Sequence, residues 1–207
     1  MAQPFDPQTL KSTGEMFPVV EQVQQGGNVG FGAFSVSENA TLVFRYGDER
    51  ANRELVWADR AGKRLGTVGK PAAYGTLAIS PDEKTVAVTI GDNLQSDLWL
   101  EDLTRGVTSR FTFRTGVNNN AIWPPDGGRV AFASVTRGAA LTEIYQKLAS
   151  GGGKEEPLVR SGVNGWPLDW SPDGKWIVYQ QEGQKTALDL WLLPTDGDHK
   201  PVPYLQT

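Results

Sequence analysis

The stretch DWSPDGKWIVYQ, residues 169–180, has two echoes in the chain, AISPDEKTVAVT at 78–89 and IWPPDGGRVAFA at 122–133. Each sets a Pro-Asp pair between two short apolar runs. Proline presets φ at the first central position of a tight turn, Asp bonds back to the local backbone, and Gly supplies a left-handed residue. Two runs joined in this way read as a β-hairpin. The turn pairs are Pro81 and Asp82, Pro125 and Asp126, and Pro172 and Asp173, with the prolines 44 and 47 residues apart. A worn copy, FSVSENATLVF at 34–44, keeps the register with Ser37 at the proline position, another 44 residues back. In the second copy Glu83 stands where the fourth has Gly174, so that turn is expected to carry about 1 kcal/mol of strain.

A second landmark recurs independently. An acidic residue opens ELVW at 54–57, DLWL at 97–100, EIYQ at 143–146 and DLWL at 189–192. These acids, Glu54, Asp97, Glu143 and Asp189, are 43, 46 and 46 residues apart. Within a copy the runs read as four strands; in the third they are NAIWP, RVAFAS, EIYQKL and EEPLVR. The second strands, such as TVAVTI and WIVYQ, are apolar on both faces, as in a sheet packed between two others. Four-stranded units of this length, stacked by both faces, are the blades of a β-propeller. A sandwich with chance similarity between hairpins gives no reason for such a period. The fold class is therefore all-β, a propeller of four-stranded antiparallel blades. The expected divisions are 1–28 as the outer half of a preceding blade, then blades at 29–74, 75–119, 120–165 and 166–207, about four and a half in all.

Composition narrows the functions. The 207 residues carry eight Phe, five Tyr and seven Trp, ample for a core, with 24 Gly and 13 Pro for turns. A net charge of −4 and a pI near 5.1 argue against a nucleic-acid partner. There is no cysteine, which excludes disulfides, thiolate metal sites and cysteine nucleophiles. No stretch approaches the ~18–20 apolar residues of a membrane helix, and the start, MAQPFDPQTLKSTGE, has neither the basic nor the apolar region of a signal peptide.

SPDGKWIVYQ together with DLWLLP resembles the propeller repeat of the translocation protein TolB and its relatives, of the WD40-like (PD40) type without true WD40 dipeptides. FSVSENATLVFR, LVWADRAGKRLGTVG, SRFTF, KEEPLV and KPVPYLQT resemble, in the same order, the C-terminal propeller of bacterial membrane-anchored serine/threonine protein kinases. The resemblance spans essentially the whole chain. It implies a propeller of about six blades, with this chain a part of it, lying on the extracytoplasmic, periplasmic side of a membrane-anchored parent. It also implies that the remaining blades, or a second copy, would cover the open blade faces.

Catalytic motifs are absent. A kinase needs a glycine-rich phosphate loop, a strand lysine, His-Arg-Asp and Asp-Phe-Gly; ASGGGKEE at 149–156 is glycine-rich but joins two strands. A serine hydrolase needs a nucleophile elbow and a histidine base, and the single histidine, His199, lies in the turn TDGDHKP. Asp196, Asp198 and His199 read as turn residues, so no metal and no cofactor is expected. The recurrent acids are expected to accept bonds from backbone N–H groups at the start of each third strand. Trp57, Trp99, Tyr145 and Trp191, which follow them, are expected to pack between blades.

The chain is thus expected to be a non-catalytic module binding a protein or small ligand, a sensor in a kinase parent. The alternatives are the substrate-gating propeller of a prolyl oligopeptidase-type peptidase and a periplasmic TolB-like interaction protein. The loops on one face bring Tyr74, Arg114, Asn118, Asn119, Asn120, Arg137, Arg160, Asn164 and Trp166 toward one rim, residue types that suit an interface. Arg114 and Arg160, each preceding a Gly-Val-Asn, are a candidate cradle for an anion.

Overall fold

The computed structural model describes residues 2–6, 8–9, 11–19, 25–26, 31–32, 34–36, 42–46, 53–92, 94–136, 141–159, 162–183 and 186–206. Two short ladders come first, β1 (Phe5–Asp6) with β2 (Lys11–Ser12) and β3 (Gln25–Gly26) with β4 (Phe31–Gly32). Four antiparallel meanders follow. Blade I is β5 (Phe34–Val36), β6 (Leu42–Tyr46), β7 (Arg53–Ala58) and β8 (Arg64–Ala72). Blade II is β9 (Tyr74–Ile79), β10 (Thr85–Gly91), β11 (Ser96–Asp102) and β12 (Val107–Arg110). Blade III is β13 (Gly116–Ile122), β14 (Arg129–Thr136), β15 (Glu143–Leu148) and β16 (Glu156–Val159). Blade IV is β17 (Gly165–Trp170), β18 (Trp176–Glu182), β19 (Leu188–Pro194) and β20 (Val202–Leu205). A single parallel bridge, Ser96 with Val117, joins blades II and III into one eight-stranded sheet.

The Pro-Asp hairpins form as their chemistry requires. Asp82 Oδ1 accepts from Ser80 Oγ at 2.6 Å and from Lys84 N at 3.1 Å, and Asp173 repeats both bonds with Ser171 and Lys175. The serine hydroxyl, and then the backbone N–H, hold both carboxyls below the usual aspartate range. Gly127 and Gly174 take φ of 64° and 74° at the left-handed position, and Glu83 takes 57° in the same place. The expected strain in the second turn is thus present in the backbone.

The middle strands of blades I to III are buried on both sides, and those of blade IV on the side that meets blade III. Val43 and Leu55 of blade I meet Leu77, Val86 and Val88 of blade II. Ala87 and Leu98 of blade II meet Val130, Phe132 and Tyr145 of blade III. Ala131 and Ile144 of blade III meet Ile177, Tyr179 and Leu193 of blade IV. Alternation along a strand gives each blade a backward and a forward face; blades I to III have a cluster on both, and blade IV on its backward face.

The sequence period reappears as hydrogen bonds between equivalent positions of neighbouring blades. Ile79 N donates to Ser35 Oγ at 3.3 Å and Asn120 N to Thr76 Oγ1 at 3.0 Å, each across 44 residues. The Trp123 indole N–H reaches Ala78 O at 3.1 Å, across 45. Each inner strand of blades II to IV also carries a register shift against its partner. In blade III the shift falls beside Asn120, whose φ of 52° is left-handed, a conformation asparagine tolerates.

Candidate functional site

The loops expected to make a rim lie where one blade hands over to the next. Most of their polar groups are spent on that junction. Asn118, at the start of β13, is fully buried. Its amide donates to Ser96 O at 3.1 Å and Arg114 O at 3.3 Å, and its oxygen accepts from Ser134 Oγ at 2.8 Å. One blade on, the Asn164 oxygen accepts from Thr142 N at 2.8 Å, and its amide donates to Glu182 Oε2 at 2.8 Å. Ser96 and Thr142 are the residues immediately before the recurrent acids, and each is 22 residues from its asparagine. One blade earlier, Arg53 Nη1 donates to Tyr74 O at 2.7 Å. The three pairs are one device, a clip between the third strand of a blade and the first strand of the next.

Tyr74 and Asn118 are therefore interior residues rather than rim residues. The Tyr74 hydroxyl donates to Lys70 O at 2.6 Å, and burial, helped by the Glu101 carboxylate, pushes its pKa up. Arg114 is half-exposed but engaged: its guanidinium lies 4.4 Å from the Tyr145 ring centroid, donates to Tyr145 Oη at 3.2 Å and faces Glu155 Oε2 at 3.8 Å. Arg137 and Arg160 lie outside the described residues, and the arginine pair with them. Asn120 is half-buried, with its backbone N–H held by Thr76.

Asn119 and Trp166 remain. Both are half-buried, and neither side chain hydrogen-bonds to a described residue. They occupy one register position on adjacent inner strands, six residues before Pro125 and Pro172. Across the ladder Asn119 faces Ala133, and Trp166 faces Gln180.

The recurrent acids take side-chain donors, not the backbone N–H groups expected for them. Glu54 pairs with Arg64 at 2.8 Å, and Asp97 with Arg110 at 2.7 Å and Thr112 at 3.1 Å. Glu143 accepts from Tyr145 Oη at 2.9 Å, and Asp189 from Thr186 Oγ1 at 2.7 Å. Each acid already pairs with the second strand through its backbone. The Leu98 N–H that follows Asp97 goes to Thr112 Oγ1, at 2.9 Å. The aromatic residues that follow the acids pack between blades, with one difference. Trp57 stands three residues after its acid and Trp99 two, so they lie on opposite strand faces and enter the same seam from its two sides. His199 is exposed at the β19–β20 turn, its Nδ1 3.0 Å from Pro194 O.

Sequence reasoning missed the seam between blades II and III. Lys147 is buried there, its ammonium donating to Phe111 O at 2.7 Å and lying 5.0 and 5.1 Å from the ring centroids of Phe111 and Phe113. Arg110 lies 5.2 Å from the Phe113 ring on its way to Asp97. The signal was legible in part: Phe-Thr-Phe-Arg at 111–114 alternates aromatic and polar residues immediately before a blade's first strand.

No family model matches the chain. Among solved structures it is similar to a protein assigned as TolB from Agrobacterium tumefaciens, at 21% identity and a TM-score of 0.68, over 84% of this chain and 61% of that one. It is similar to TolB from Acinetobacter baumannii at 19% identity and a TM-score of 0.68, over 98% of this chain and 48% of that one. A prolyl endopeptidase matches at 18% identity and a TM-score of 0.59, over 81% of this chain and 28% of that one. The chain thus spans about half to three fifths of the length of the two TolB structures. Its four meanders and these likenesses agree: the fold is that of a TolB-like β-propeller, of which this chain forms a part.

Proposed function

We propose that the chain is a non-catalytic recognition module, the propeller that senses a protein or small ligand for a membrane-anchored serine/threonine kinase, outside the cytoplasmic membrane. The observation that carries this reading is the pairing of Asn119 and Trp166. They are an amide and an indole left uncommitted at one register position of neighbouring inner strands, where every comparable clip residue is spent on the fold. An aromatic face beside a neutral hydrogen-bonding group suits recognition without charge. The acids, held one per blade by local donors, support the same reading, because catalysis needs unlike groups converging on one point. The order of phrases shared with the kinase propellers supports the kinase link.

The likeness to a prolyl endopeptidase favours a second reading, a propeller that gates access to a hydrolase domain. Sequencing the DNA on either side of the reading frame separates the two. A kinase domain and one membrane span in frame upstream support the first, and a hydrolase domain downstream replaces it with the second. Stop codons close on both sides reject both parents and leave an independent interaction protein.

A further inference from the structure

Each blade ends in an outer strand that pairs, among the described residues, with one strand only, and three of these four edges are blunted. The ladder of β8 with β7 is broken by two register shifts, and those of β16 with β15 and β20 with β19 by one each. Pro71, Pro157 and Pro203 stand within those strands and lack the N–H that a further strand would need. Bulges and prolines are the usual means of keeping an edge from pairing. β12 has neither. Val107, Thr108, Ser109 and Arg110 face Asp102, Glu101, Leu100 and Trp99 in unbroken register, and all four are exposed.

Phe111 N donates to Leu98 O at 2.8 Å, one step beyond the pair of Arg110 with Trp99. The backbone of an antiparallel strand alternates in direction. Val107 and Ser109 therefore turn their N–H and C=O groups toward β11, and Thr108 and Arg110 turn theirs outward. Those outward groups are a template for one more strand. Blade II is packed on both faces, so this peripheral edge stays an edge however many blades complete the propeller.

The charge over the edge selects the kind of strand. Residues 103–114, LTRGVTSRFTFR, hold three arginines and no acid, in a chain of net charge −4. The carboxylates that pair with these arginines lie deeper. The Arg105 side chain is 77% exposed over Asp102 at 24%, and that of Arg110 is 40% exposed over Asp97 at 12%. Glu101 is buried beneath Thr108, whose hydroxyl donates to it. An incoming strand thus meets cations. A second copy offering the same edge would set like charges together, which is destabilising. We propose that the outer edge of β12 takes an extended, acidic segment of a partner protein as a fifth strand of blade II. Its backbone pairs with Thr108 and Arg110, and its carboxylates lie beside Arg105 and Arg110. This surface is independent of Asn119 and Trp166.

The test uses the full chain and a fluorescein-labelled peptide of roughly ten residues, alternating threonine and glutamate, followed by fluorescence anisotropy. The peptide is expected to bind. A counterpart with lysine for glutamate, and one N-methylated at every residue and so without backbone donors, are each expected to bind about tenfold more weakly or worse. Amide exchange at Thr108 and Arg110 is expected to slow in the complex. Arg105→Glu, in an exposed turn, is expected to weaken binding about tenfold, while Arg64→Glu, the same change on the edge of β8, leaves it unchanged. No binding at about 1 mM peptide overturns the proposal. Binding that survives N-methylation or the exchange of glutamate for lysine overturns it too, as does amide protection confined to strands other than β12. Equal losses in the two arginine variants overturn it as well.

Discussion

Asn118 and Asn119 are neighbours of the same type with opposite employment. Removing the first strips Ser96 O and Arg114 O of a donor and Ser134 of an acceptor inside the protein. Asn118→Ala is expected to cost about 1–3 kcal/mol in urea unfolding. Asn119→Ala, which breaks no such bond, is expected to stay within about 0.5 kcal/mol. The sequence offers no way to tell the two apart, because the partner that decides lies 22 residues away on another blade. The same holds for Tyr74 and Asn164. Residue type pointed to an interface, and the donors they meet made them clips. Two titrating groups give further checks. Asp82 and Asp173 have lowered folded-state pKa values, so their turns are fully stabilised above the ordinary aspartate value of about 3.9 and lose that stabilisation as pH falls through the folded value. The stability gap between wild type and the double variant Asp82→Asn, Asp173→Asn is expected to be largest near neutrality and to close in acid. Burial pushes Tyr179 up to about 12. Its neutral phenol therefore favours the folded state at every pH below the ordinary value of about 10, and the benefit fades as pH rises toward the folded one. Tyr179→Phe is expected to flatten the alkaline fall in stability.

At the scale of the element, the hairpin turn is where sequence and structure agree most closely. Proline, aspartate and glycine each act within four residues, so local chemistry decides the outcome before any packing does. The one departure, Glu83 at φ 57°, marks its own remedy. Glu83→Gly is expected to raise the urea midpoint, by an amount equivalent to up to about 1 kcal/mol of unfolding free energy, since relief of the left-handed side chain exceeds the added freedom of the unfolded glycine. The acid that opens each third strand was legible as a repeated structural group, but its partner was not. Four acids use an arginine in blade I, an arginine and a threonine in blade II, a tyrosine in blade III and a threonine in blade IV. A repeat keeps the need and varies the means, and only the need shows in a period.

For the whole molecule, the period announced the architecture because each copy repeats the faces that stack. Those faces also bind the blades into one cooperative unit, as every seam draws buried residues from both sides. Phe132 stands at the centre of the second seam, edge-on to Phe111 at 6.3 Å and stacked on Tyr145 at 6.2 Å. Phe132→Ala is expected to cost about 3–5 kcal/mol. In the variant, transitions followed by tryptophan fluorescence and by far-ultraviolet circular dichroism are expected to coincide. The seams are not equal, however. Blades II and III share a parallel backbone bridge and the lysine and arginine held over aromatic rings, whereas blades III and IV share a backbone bond from Gly165 N to Thr142 O at 3.0 Å, the Asn164 clip beside it, and no cation over a ring among the described residues. Pulled by its ends in an optical trap, the arc has a grain. Blade IV peels away at a lower force, and the fused pair II–III survives as the last mechanical unit to tear.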